Sequence, residues 1–310
     1  NGLVRSWDIV RDVDREIIQS PFQEKEIDQG RDAVCVAYDR AEVLRGGPNG
    51  IDVVSLESLE RISSHLPGQF ISAISCARSS GRIIASDRSG RLLKLSDPTS
   101  EVVISIPVFA DGTIERVMTD DKAEFAVAFN DKEELAVVDI VKGLVQATLP
   151  DRAASAISPD GKWVVSARHG YDDVEVFSRE SMRSIAILPA HQSTVVQVLF
   201  SPDGKYLLTT SHDRMITVWS SETWELLHKL SGHQSAVRAA GISADGKTLA
   251  TGDERGAIKL WDFVGGRELM EMDQPVADVI GLQFSPDGQK LTAWDSNMTI
   301  TILQSPDTTQ

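Results

Sequence analysis

One short motif returns along this chain at a spacing that leaves few ways to fold it. Ser158-Pro159-Asp160-Gly161-Lys162 recurs as Ser201-Pro202-Asp203-Gly204-Lys205, Ser243-Ala244-Asp245-Gly246-Lys247 and Ser285-Pro286-Asp287-Gly288-Gln289, with the Asp positions 43, 42 and 42 apart. Weaker copies run backwards: Asp120 lies 40 before Asp160, Ser80 lies 40 before that, and Asp39 lies 41 earlier. Seven turns at a period of 40–43 consume nearly all of the 310 residues. A fixed period of this size marks a repeat architecture.

Each period contains a finer rhythm. Between 195 and 230 an apolar run, 195–200, meets the Ser-Pro-Asp-Gly turn; 206–210 is a second β-rich run; His212-Asp213-Arg214 is a short turn; 216–219 and 226–230 are the third and fourth runs. Runs of four to seven residues split by turn signals read as strands. No stretch sustains a 3.6-residue period, so the expected helix content is close to zero. Four antiparallel strands per repeat describe the blade of a propeller, because blades arranged radially cover each other's faces and protect their edges. The expected fold is all-β: a seven-bladed β-propeller of four-stranded antiparallel blades, spanning 1–310 as one domain. Eight blades, or part of a tandem propeller, is the alternative.

The residues also resemble a known family. Trp-Asp or a relic of it ends several third strands or precedes a turn, at Trp7-Asp8, Ser96-Asp97, Val138-Asp139, Trp219-Ser220 and Trp261-Asp262, and Ala190-His191 and Gly232-His233 stand before first strands. These are similar to the signatures of WD-repeat β-propellers, most clearly over 150–304. The resemblance implies a structural tetrad, complete in blade 5 as His191, Thr209, Asp213 and Trp219, in which the Asp accepts from the His, the His bonds the hydroxyl, and the hydroxyl bonds the indole. In blade 6 it implies His233, Thr251 and Trp261, with Arg255 where the Asp should stand and Glu254 as the available substitute. Blade 4 has Phe177 in the Trp place and no His. Blade 7 has Asn297 and Leu303 at the Asp and Trp positions.

The strand tally adds one expectation. The last repeat ends at 300–303 without a fourth strand, and 16–19 is placed to complete it. Segment 3–9 is then a surplus third strand, which reads, together with a start at Asn1 rather than Met, as a piece cut from a longer chain.

Several motifs suggest chemistry and are read otherwise. Residues 241–248 match the G-x4-G-K-[ST] phosphate-loop pattern, but a strand follows where the phosphate site needs a helix N-terminus. The six His show no metal-ligand spacing, and no nucleophile elbow occurs. Cys35 and Cys76 occupy equivalent positions in neighbouring first strands and read as buried thiols, a disulfide remaining the alternative. Gly46-Gly47-Pro48-Asn49-Gly50 reads as a wide turn, and Asn297-Met298-Thr299 is a glycosylation sequon. No catalytic residue, metal or cofactor is expected.

A balance of 31 Lys+Arg against 46 Asp+Glu, net −15, argues against nucleic-acid binding. No apolar run is long enough to span a bilayer. Within 111–139 there are 9 acids and 3 bases, a patch suited to a basic protein segment. The resulting expectation is a non-enzymatic protein-interaction scaffold and a module of a larger regulatory or signalling protein, its partners being proteins. A lactonase-like propeller hydrolase is the alternative. The candidate contact residues, on the rim beside the tetrads, are Gln192, Ser193, His212, Gln234, Ser235, Arg238, Glu254, Arg255 and Trp294.

Overall fold

A computed structural model describes residues 16–18, 33–37, 42–55, 61–77, 80–95, 102–168, 170–272, 278–296 and 300–304. Every regular element among them is a β-strand, and the strands form seven four-stranded antiparallel sheets. These sheets are the blades of a seven-bladed β-propeller.

Blades 1 to 4 form one compact unit. Blade 1 is Val34–Ala37, Glu42–Gly47, Gly50–Ser55 and Arg61–His65; blade 2 is Ile71–Cys76, Ile83–Asp87, Arg91–Leu95 and Val102–Pro107. Blade 3 is Ile114–Thr119, Phe125–Asn130, Leu135–Asp139 and Leu144–Leu149; blade 4 is Arg152–Ile157, Trp163–Arg168, Val174–Ser178 and Ser184–Leu188. Within each blade the strands pair in chain order. The middle strands are buried on both faces, as in Ile83–Asp87, while outer strands such as Arg61–His65 are largely exposed. Like sheets therefore cover like sheets. Leu44, Ile51, Ile71, Ile83 and Leu93 pack in one cluster between blades 1 and 2, and Ile84, Leu92, Ile114, Ala126 and Val138 in another between blades 2 and 3.

Blades 5 to 7, apart from Val198–Phe200, form the second unit. Blade 5 is Val195–Phe200, Tyr206–Ser211, Ile216–Ser220 and Leu226–Leu230; blade 6 is Val237–Ile242, Thr248–Asp253, Ile258–Asp262 and Arg267–Met272. Blade 7 takes Val279–Phe284, Lys290–Asp295 and Ile300–Gln304, and its fourth strand is Glu16–Ile18 from the start of the chain. Glu16 faces Ile302 and Ile18 faces Ile300. The tally's expectation for 16–19 is met; 3–9 lies outside the described residues, as do Asp39, His169 and the Asn297 sequon.

The repeated motif is a self-bonded turn. Ser158 Oγ donates to Asp160 Oδ1 at 2.7 Å and accepts from the Trp163 amide at 2.9 Å, and the Asp carboxylate accepts the Lys162 amide. The same bonds recur from Ser201, Ser243 and Ser285. Gly161 sits at φ +70, which the absence of a Cβ allows. The phosphate-loop match dissolves here: Gly241 lies within a strand, where a Cβ would come 2.6 Å from the Leu282 carbonyl of blade 7.

Two expectations need correction. Gly46-Gly47-Pro48-Asn49-Gly50 is no wide turn. Gly46 and Gly47 end one strand, Gly50 opens the next, and only Pro48 and Asn49 bridge them. A Cβ on Gly50 would fall 2.1 Å from the His65 carbonyl. The cysteines are not thiols: Cys35 and Cys76 form a disulfide between the first strands of blades 1 and 2. The shared register brings their Cα atoms to 6.1 Å, within bonding range.

A crosslink across 41 residues is worth about 4 kcal/mol on chain-entropy grounds. The intact protein, denatured without reductant, is expected to take up no thiol label, and C35A/C76A is expected to melt lower. Two labelled cysteines would refute the bond.

Candidate interaction rim

In an antiparallel blade, the turn joining strands two and three lies at the same end as the entry to strand one. In the second unit each such turn is sewn to that entry. His212 N donates to Thr194 O at 3.1 Å, Glu254 N to Ala236 O at 3.1 Å, and Ser296 N to Asp278 O at 3.0 Å. The candidate residues gather at this end.

Blade 5 holds its turn by a chain of side-chain bonds. Trp219 Nε1 donates to Thr217 Oγ1 at 2.8 Å, Thr217 meets Thr209 at 2.5 Å, Thr209 meets His191 Nε2 at 2.7 Å, and His191 Nδ1 lies 3.1 Å from both oxygens of Asp213. Only one direction satisfies every member: indole to Thr217, Thr217 to Thr209, Thr209 to Nε2, and Nδ1–H to the carboxylate. Thr217 is the unexpected link, standing between the indole and Thr209. Burial lowers the pKa of His191 despite the opposing charge of Asp213, so the ring is held neutral. Burial alone would raise the Asp213 carboxyl, but donors from Gln192, Met215 and His191 outweigh it and hold it below its ordinary range.

Blade 6 reaches the same end with different residues. Trp261 Nε1 donates directly to Thr251 at 2.8 Å, Thr251 meets His233 Nε2 at 2.7 Å, and His233 Nδ1 meets Asp253 Oδ2 at 3.0 Å. The carboxylate is thus Asp253, neither Arg255 nor Glu254. It ends the second strand and also accepts the amides of Arg255 and Ala257, two and four residues on. Asp87 does the same with Ser89 and Arg91, and Asn130 with Lys132 and Glu134. An Asp or Asn closing the second strand is the signal that alignment to blade 5 hides. Where blade 5 has Thr217, blade 6 has Lys259, buried and held by Glu268 at 2.8 Å and Glu271 at 2.6 Å.

Blade 4, in the other unit, replaces the polar chain with an ion pair. Arg152 Nη1 lies 3.1 Å from Glu175 Oε2, and its guanidinium stands 5.2 Å from the Phe177 ring centre. In blade 7, Leu303 is fully buried in the Trp place.

The candidate contact residues divide sharply. Gln192, His212, Gln234 and Arg255 are exposed. Ser193 is half-buried and its carbonyl accepts from Ser211. Ser235 bonds Glu254 at 3.4 Å. Arg238 is no free contact, because it bridges Glu254 and the Asp278 carboxylate, each at 3.3 Å. Trp294 lies against its own blade: a Cβ on Gly281, its cross-strand partner, would fall 1.8 Å from the indole. It is a packing residue.

Seven four-stranded blades, two of them with polar chains pinning their turns, define a β-propeller. Two stretches match the WD40 family model (WD domain, G-beta repeat), residues 182–220 and 224–262, each taking in the outer strand of one blade and the first three strands of the next, blade 5 or blade 6. The structure is also similar to the crystal structure of the β-propeller domain of Cps50 (Swd1) from Myceliophteria thermophila, with a TM-score of 0.76 at 13% identity, covering 95% of this chain and 99% of that one.

Trp219 is 4% exposed, and Trp219→Ala is expected to cost about 3–5 kcal/mol in denaturant unfolding. Asp253→Ala, which strands His233, is expected to cost about 1–3 kcal/mol. A melt unchanged by Asp253→Ala would remove that carboxylate from the network. His191, with its folded pKa below the unfolded value of about 6.5, contributes stability that is present above that value and lost as pH falls. Melting temperature should therefore drop between pH 7.5 and 5.5 by less in His191→Gln than in the parent.

Proposed function

We propose that this chain is a non-catalytic protein-interaction module, one propeller over 1–310 within a larger regulatory or signalling protein, and that partners dock on the turn end of blades 5 and 6. One observation carries the reading: buried polar side chains at that end fix the turns, while His212 and Arg255 on the turns, and Gln192 and Gln234 at the neighbouring first-strand entries, remain exposed. Rigid turns presenting exposed side chains suit recognition, since ordering a flexible loop on binding costs free energy.

The hydrolase alternative needs convergent ligands from several blades. Among the described residues no group of three or more His, Cys, Asp or Glu is arranged to hold a metal ion, which gives that alternative no support. The acidic stretch 111–139 is a weaker docking surface than its charge suggests. Asp120 is buried and accepts from the Glu124 and Phe125 amides, Asp139 is buried and accepts from the Lys142 amide, Asp111 pairs with Lys132, and Asp131 accepts from Thr113.

Crosslinked affinity capture from source cells tests the docking end. The variant Q192A/H212A/Q234A/R255A is expected to melt like the parent, within about 1 kcal/mol for such surface changes, yet recover several-fold less partner. Equal recovery from both would move the docking surface elsewhere.

A further inference from the structure

At the turn end of blades 5 and 6, acids and bases are treated differently. Asp213 receives His191 and two amides, Asp253 receives His233 and two amides, and Glu254 receives Ser235 and Arg238. Each carboxylate already has donors. The bases on the same turns have no such acceptors. Arg214, at φ +69 inside the blade 5 turn, is exposed and has no ion pair among the described residues. Arg255, in the adjoining blade 6 turn, is likewise exposed and has none, with only its amide engaged. Lys229, opposite Thr217 on the outer strand of blade 5, is a third exposed base without an ion pair among the described residues. It lies close enough to His191 for its charge to help lower the pKa of that ring.

With 46 acids to 31 bases, a surface base in this chain has many potential carboxylate neighbours. Three bases left without one on two adjacent blades is an arrangement complementary to an acidic ligand. Two guanidinium groups, each able to grip a carboxylate with a pair of parallel N–H donors, also supply directional recognition rather than a diffuse field.

We propose that the turn end of blades 5 and 6 binds an acidic protein segment, whose Asp or Glu carboxylates are taken by Arg214 and Arg255 with Lys229 beside them. This rests on the reading of that end as the docking surface and names the chemistry of its partner. It sets the acidic stretch 111–139 apart from the contact. The chain's net charge opposes such a ligand at long range. At about 0.15 M salt the Debye length is about 8 Å, so the direct contacts decide.

The test is fluorescence anisotropy of the full chain at that salt. The probes are labelled 12-residue peptides rich in Asp and Glu, or in Lys and Arg, or in Gln, and a dT12 oligonucleotide. The acidic peptide is expected to bind more tightly than the other three. R214Q/R255Q is expected to weaken it at least tenfold with an unchanged melt, and K229Q to weaken it less. Lys205→Gln, at the opposite end of the blade 5 strands, is expected to leave it unchanged. Equal binding of acidic and Gln peptides, tighter binding of the oligonucleotide, binding indifferent to R214Q/R255Q, or no binding of any probe would each overturn the proposal. A Lys/Arg or Gln peptide that binds and is lost in Q192A/Q234A would overturn the acidic partner while leaving the docking end in place.

Discussion

A four-stranded sheet whose two middle strands are apolar on both faces cannot stand alone in water. It must be covered on each side, and the least specialised cover is another sheet like itself. That requirement accounts for the alternation of buried middle strands with exposed outer ones, and for clusters that belong to pairs of neighbouring blades rather than to single ones. It also explains why the period outlasts the motif. Blades 1 to 3 carry little of the motif seen in blades 5 and 6 yet have four strands each, because apolar cover depends on strand pattern and not on any one tryptophan.

Within that frame, buried polar groups must be satisfied, and the blades do so in different ways. Blade 5 runs an unbroken line of donors from indole to carboxylate through two hydroxyls. Blade 6 shortens the line by one hydroxyl and fills the vacated place with Lys259 between two glutamates. Blade 4 discards the line for an arginine between a glutamate and a phenylalanine. All three join buried donors to acceptors inside the blade, though in blade 4 Arg152 Nε has no partner of its own, and an unpaired buried polar group is costly. In blades 5 and 6 the line also reaches a turn at the blade end, which it fixes in place.

The fold was legible in the sequence because it rests on periodicity, which every repeat reinforces. Even the pairing of 16–18 with the last strands followed from a strand count. The site was legible only where blades are alike. His191, Thr209, Asp213 and Trp219 were found by motif, but Asp253 was missed because blade 6 places its carboxylate at the end of the strand and not within the turn. Spatial equivalence there does not follow sequence offset. The tie of Arg238 to Asp278 joins neighbouring blades, and the contact of Trp294 with Gly281 joins neighbouring strands. No linear pattern reports such pairs. The disulfide was undecided for a similar reason: two cysteines 41 apart give no distance until the register of two blades is known.

The pairing of Glu16 with Ile302 has a consequence for how the molecule is made. A ribosome releases blades 1 to 6 with all four strands of each already adjacent in the nascent chain. Blade 7 differs, because its outer strand emerges before blades 1 to 6 and its other three strands after them. That early strand must stay unpaired, and free of wrong partners, while the six blades between are made. Closing so long a loop adds an entropic cost that the shorter hairpins avoid. Closure of blade 7 is therefore the pairing most exposed to interception, by a chaperone or by the free edge of another copy.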